Sequence, residues 1–195
     1  MPLNYTIDFK NILKEETSSF HKRVEKHLDF LNESFNHVKY EKILKKYYGY
    51  FFPLEDKIKK FPSSISDNYE ARASLLLEDL IKLQTYRDAS RATTVPLCLE
   101  LPNIETLDNV YGCLYVLEGS KLGNIIISKH LKKCLGIGPE NGAAYFTSPL
   151  KTTWDRWHDF CHSLEKRTKN NPQSKESIIK SAQETFIDFE RWILS

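Results

Sequence analysis

Every long apolar segment of this 195-residue chain repeats at the α-helical period. Apolar residues recur three or four positions apart, and no segment carries four cycles of the alternation that marks a half-buried strand. The chain is therefore expected to be all-α. In FKNILKEETSSFHKRVEKHL, Phe9, Ile12, Leu13, Phe20, Val24 and Leu28 fall near one stripe behind Asp8, a residue suited to cap a helix N-terminus. A second helix is read in HVKYEKILKKYYGYFFPLEDKIKKF. Pro53 within it has no N–H for the carbonyl four residues back, which predicts a kink or a break.

FPSSISDN reads as a loop, and YEARASLLLEDLIKLQ as a third amphipathic helix. DASRATTVPLCLELPN reads as a connection long enough to border a site. The fourth helix is expected to run unbroken from near Ile104, through ETLDNVYGCLYVLEGSKLGNIIISKHLKKCLG, to Gly136 or Gly138. After a loop, PENGAAYFTSP, the helices LKTTWDRWHDFCHSLEKRT and SKESIIKSAQETFIDFERWIL complete the set. The last turns Ile178, Ile179, Phe186, Phe189, Trp192 and Ile193 toward the core.

No Gly/Ser-rich or Pro-rich linker divides the chain, so a single domain over residues 1–195 is expected. Its 28 basic and 26 acidic residues are dispersed and leave a formal charge of +2, which gives no basis for nucleic-acid binding. The start, MPLNYTIDFKNILKEE, lacks the apolar core of a signal peptide, and no run of apolar residues is long enough to span a membrane. A cytoplasmic location follows as an expectation. Cys98, Cys113, Cys134 and Cys161 are scattered without a CxxC pair and are expected to stay free thiols. His158, Cys161 and His162 on one helix raise a zinc reading, but no second ligand pair supports it.

LEGSKLGN holds two glycines one turn apart inside an apolar helix. Each costs about 1 kcal/mol relative to alanine there. Together Gly119 and Gly123 bare a strip of backbone, edged by Ser120 and Asn124. Either another helix packs closely on that strip or a ligand does; on these residues alone helix packing is the simpler account. His21 has Glu25 one turn on, within reach to fix its tautomer as a ligating histidine requires. Lys14 lies two turns before His21 and brings a cation to the same side. His27 falls off that face. Taken singly, His21 and Lys14 read as solvated side chains. A histidine, a cation and a bare glycine wall together suit a flat, iron-bearing, doubly carboxylated ligand.

At this point LKEETSSFHKRVE resembles the first helix of biliverdin-producing haem oxygenases, and LYVLEGSKLGN their distal helix. YYGYFFPLE, LLLEDLIKL and TFIDFERWI are similar to further helices of the bacterial, bacteriophytochrome-associated type, in the same order along nearly the whole chain. The resemblance implies a haem-oxygenase-like helical bundle with haem, both substrate and cofactor, between the first and fourth helices. It implies that His21 is the proximal iron ligand, with Glu25 its hydrogen-bonding neighbour, and that Gly119, Ser120, Gly123 and Asn124 form the distal wall. Lys14, Tyr115 and Arg156 become candidates to hold the propionates. Ser18 stands where mammalian-type members carry a second lysine, Ser120 where they carry an aspartate, and Asn124 where a glycine is usual. The reaction implied consumes O₂ and electrons from an external donor, such as a ferredoxin or a reductase, and releases biliverdin, CO and Fe²⁺. A bacteriophytochrome is an implied recipient of the product. Two other readings remain: a haem carrier or sensor without turnover, and a non-haem relative of the thiaminase-like group. The latter requires several Glu and His residues converging from different helices, and only Glu118 lies near the glycines.

Overall fold

The computed structural model describes residues 8–85, 95–147 and 150–195. No strand occurs among the described residues, as the periodicity requires. Helix α1, Phe9–Leu28, begins where the Asp8 carboxylate accepts the Lys10 N–H at 3.2 Å. It ends at Asp29, whose backbone is left-handed (φ 48°). The Asp29 carboxylate is held there by Asn32 Nδ2 at 2.8 Å and Lys39 Nζ at 2.9 Å, which keep it below its usual range.

Helix α2, His37–Lys60, runs through Pro53 without a break. The expected split does not occur because the orphaned carbonyl finds another donor. Cys98 N–H donates to Gly49 O at 2.7 Å. The approach is possible because residue 49 is glycine: a Cβ there would collide with Pro96 O and lie 2.7 Å from the Trp192 ring. FPSSISDN is not wholly loop but contains the short helix α3, Ser64–Asp67, capped by Ser63. Helix α4 is Ala73–Thr85. Its first amides, and that of Arg72, need acceptors; the buried Glu55 carboxylate accepts Arg72 N–H and Ala73 N–H, both at 3.0 Å. Of the long connection, residues 88–94 lie outside the described residues.

The fourth helix is not continuous. Helix α5, Leu107–Ser120, opens on a reciprocal cap between Thr106 and Asn109. A 3₁₀ turn, Lys121–Gly123, follows, and helix α6 continues over Asn124–Leu135 to a left-handed Gly136. PENGAAYFTSP likewise contains a 3₁₀ turn, Pro139–Asn141, and helix α7, Ala144–Thr147. Asp79 of α4 accepts Ala144 N–H at 2.7 Å and Tyr145 N–H at 2.9 Å. Helices α8, Leu150–Asn170, and α9, Ser174–Leu194, close the chain.

The organising element is α9, against which α1 and α5 both pack along much of their length. Gly112 permits the α5 contact, since a Cβ there would lie 2.5 Å from Ser181 Cβ. A cluster of rings including Tyr47, Phe51, Tyr145, Phe146 and Phe189 ties α2, α7 and α9 together. Burial of so many large apolar groups is the main stabilising term of the fold.

Candidate active site

Although α1 and α5 share α9 as a support, they scarcely pack on each other. Thr17 of α1 lies beside Tyr115 of α5, whose phenol is pushed up from its ordinary value by burial, with Thr17 opposing the shift. Thr17 Oγ1 donates to Leu13 O at 2.7 Å. One turn from this contact on α1 lies His21, and one turn from it on α5 lies Gly119. Phe186 of α9 meets the His21 ring edge-on, with centroids 5.8 Å apart. Trp157 of α8 packs against Tyr115 at 5.7 Å and would lie 3.6 Å from a Cβ on Gly119.

His21 is half exposed, with Nδ1 3.5 Å from Glu25 Oε2. That separation is long for a hydrogen bond, but it sets Glu25 beside one ring nitrogen and leaves Nε2 without a partner among the described residues. The glycines decide between the two accounts of the bare strip. A Cβ on Gly119 would make only ordinary contact with Trp157, and a Cβ on Gly123 would meet no heavy atom within 4 Å. Among the described residues only the Trp157 ring of α8 comes near either position. The glycines at which a Cβ would come within 3.0 Å of a neighbour are Gly49, Gly112 and Gly142.

A family model described as Heme oxygenase matches residues 7–195. The chain belongs to the haem oxygenase family. It is accordingly an oxidoreductase that degrades haem to biliverdin, with O₂ and a reductant required. The fold is similar to that of the NO- and CO-bound heme oxygenase from Neisseria meningitidis, with a TM-score of 0.72 and 21% identity over 96% of this chain and 91% of that one. No curated protein sequence matches the chain.

Within this haem oxygenase fold the remaining sequence candidates separate. Lys14 is exposed on α1. Ser120 donates its hydroxyl proton to Leu117 O at 2.9 Å. Asn124 is buried, with Nδ2 donating to Tyr145 O at 3.2 Å, so its amide is anchored to α7. Arg156 pairs with Glu70 at 3.0 Å. It borders a cavity of about 420 Å³ between α3, α5 and α8, together with Tyr69, Glu118 and Phe160. A second cavity, of about 350 Å³, lies beside Cys98 and Trp192. Neither is bordered by His21, Gly119 or Gly123; the site is assigned from the chemistry of two helix faces rather than from depth. The zinc trio does not share a face, because Cys161 is buried while His158 and His162 are exposed.

Two features of the distal segment escaped the sequence. Glu118 and Lys121 form a buried ion pair, Nζ to Oε1 2.9 Å, with the ammonium 4.7 Å from the centre of the Tyr69 ring. Burial pushes the Lys121 ammonium down from its usual range, against the pull of Glu118. The i, i+3 spacing is visible in the sequence, but its burial depends on the segment between α3 and α4, which brings Tyr69 over the ammonium. Tyr145 was read as part of a loop and gave no signal.

Proposed function

We propose that this enzyme holds haem between α1 and the wall formed by α5 and the Lys121–Gly123 turn, with His21 as the iron ligand. The supporting observation is that a side chain at Gly123 would meet no described neighbour and one at Gly119 only the edge of Trp157, on the helix that faces His21 across the Thr17–Tyr115 position. The donor set agrees: an imidazole with a carboxylate beside Nδ1 would hold the iron through Nε2.

Bound haem supplies the iron at which O₂ is reduced, and it is itself the molecule oxidised. The chain's own part is orientation. Glu25 accepts from Nδ1–H, which fixes the tautomer presenting Nε2. Bare backbone at Gly119 and Gly123 allows the ring to approach the main chain and excludes bulk water from its face. Lys14 supplies a mobile cation for a propionate. Tyr115 contributes in the same way by turning its hydroxyl to a carboxylate. Arg156 joins them only by releasing Glu70, and we assign it the lesser part.

The electron donor is proposed to be a ferredoxin or a reductase, the location cytoplasmic, and biliverdin supply to a bacteriophytochrome one use of the product. No described helix is long and apolar enough to cross a membrane. A haemin titration followed by reductant in air tests the reading. The expected result is a saturable Soret band that decays to a biliverdin spectrum, and a weakened, altered band for His21→Ala. A Soret band unaffected by His21→Ala would remove the ligand assignment, and a band stable to reductant would favour a carrier.

A further inference from the structure

Helix α9 grips α1 on both sides of His21. Gln183 Nε2 donates to Glu16 O at 3.0 Å. Further along, Arg23 donates to the Glu190 carboxylate through Nε at 3.0 Å and Nη2 at 2.8 Å, and His27 Nε2 lies 3.2 Å from the same carboxylate. Between these two anchors Phe186 meets the His21 ring, with centroids 5.8 Å apart and the planes at 86°. Gln183, Phe186 and Glu190 fall at i, i+3 and i+7 and so form one stripe of α9. The α1 backbone at His21 is thus fixed from α9, and only the rotation of the ring is left to set.

A histidine ring turns about a broad torsion, because its outer bond joins a tetrahedral carbon to a planar ring. Its neighbours must hold it. Among the described residues, the polar contact of His21 is with Glu25, at 3.5 Å, and its ring contact is with Phe186. Glu25 is exposed and the separation is long, so it restrains the ring only weakly. Phe186 is 7% exposed and packed into the core, so it does not yield. A perpendicular meeting of two rings is also one their charge distributions favour.

We propose that Phe186 is a positioning residue for the proximal imidazole: it fixes the rotation of the His21 ring, and with it the direction in which the imidazole plane crosses the iron. This rests on the reading that His21 is the iron ligand. A single axial imidazole overlaps the iron orbitals along one direction only, so the direction of its plane decides which pair of pyrrole nitrogens is set apart from the other. Glu25 holds the tautomer and Phe186 holds the rotation. The two tasks fall to different helices.

The haem methyl resonances of the ferric cyanide complex report that direction, because their paramagnetic shifts spread according to the plane of the axial imidazole. Phe186→Leu keeps an apolar side chain in the core and removes the ring. The expected result is haem affinity within a few-fold of the parent, with a methyl pattern that is reordered, or broadened as the His21 ring samples more than one rotation. Phe189→Leu is the control. It makes the same truncation one turn along α9, where the ring meets Tyr47, Tyr50 and Phe51 rather than His21. It should lower stability and leave the methyl pattern in place. An unchanged pattern in Phe186→Leu, or an equal change in Phe189→Leu, would overturn the role. Should Phe186→Leu fail to fold, the diamagnetic ferrous CO complex of the parent decides: nuclear Overhauser contacts between the Phe186 and His21 ring protons are expected, and their absence overturns the role equally. A parent protein with no saturable Soret band, or a His21→Ala variant with the parental band, would instead refute the site on which the role rests.

Discussion

The amide of Cys98 donates to the carbonyl of Gly49 at 2.7 Å, in the place of the N–H that Pro53 lacks. A proline inside a helix is tolerated here because a segment remote in sequence supplies the missing donor, and Gly49 lets that segment come close. Gly49→Ala is therefore expected to destabilise the protein by about 2–4 kcal/mol, because the new methyl overlaps Pro96 O and the Trp192 ring. Pro53→Ala restores an N–H to a carbonyl that has a second lone pair and should change stability by less than about 1 kcal/mol. Urea unfolding of the two variants checks both.

The glycines of α5 and its continuation separate packing from ligand binding. Gly112→Ala drives a methyl into Ser181 and should cost stability on the order of 2 kcal/mol. A side chain at Gly123 meets nothing in the ligand-free protein. Gly123→Leu should consequently melt at or slightly above the parent, since a helix favours Leu over Gly by up to about 1 kcal/mol, and yet bind haem poorly. Thermal melts and haemin titrations of the two variants are expected to move in opposite senses. Unimpaired haem binding by Gly123→Leu would show that the ring does not lie there.

The helices themselves were legible because a 3.6-residue apolar period survives any tertiary arrangement, and Asp8 and Gly136 gave α1 and α6 visible ends. The breaks were not. The turn at Lys121–Gly123 falls among the weak helix formers Gly119, Ser120, Gly123 and Asn124, but what sustains it, the Asn124–Tyr145 contact and the Glu118–Lys121 pair, arrives from elsewhere in the chain or is defined only by burial. Pro53 misled for the complementary reason: its local cost was readable, but its remedy at Cys98 was not. Among the candidates for the site, the His21–Glu25 pair and the glycine strip could be singled out from spacing because each lies within one helical segment. Asn124 could not be assigned, because its partner is a carbonyl 21 residues on.

Asp79 gives α7, to which Asn124 is bonded, a titratable foundation. Burial pushes its carboxyl from 3.8 up to about 6, against the hydrogen bonds from the Tyr145 and Ala144 amides. With the folded value above the unfolded one, the native state holds the extra proton between pH about 4 and 6, so this group's contribution to stability falls as pH rises through that window. The shift corresponds to roughly 3 kcal/mol. Asp79→Asn has no such proton to bind. The stability of the parent minus that of Asp79→Asn should decline by about that amount from pH 4 to 6.5 and then level off, as measured by denaturant unfolding at each pH. A difference independent of pH would mean that Asp79 does not titrate in this range.

Lys121 and Glu118 are both almost fully inaccessible, and the second carboxylate oxygen of Glu118 has no hydrogen-bond partner. A buried ion pair of this kind adds little net stability, because desolvation offsets the attraction, but removing one member leaves a lone charge in a poor solvent. Lys121→Met keeps the length of the side chain and strands Glu118, which should cost about 3–5 kcal/mol. Glu118→Gln in the same chain replaces the stranded charge by a neutral amide of equal shape, and the double variant should recover most of the loss. Because the pair sits beside the 3₁₀ turn, the single variant is also expected to loosen the glycine wall and broaden the Soret band of the haem complex, while the double variant sharpens it again. Additive losses in the double variant would mean that Lys121 acts by packing over the Tyr69 ring rather than by neutralising Glu118.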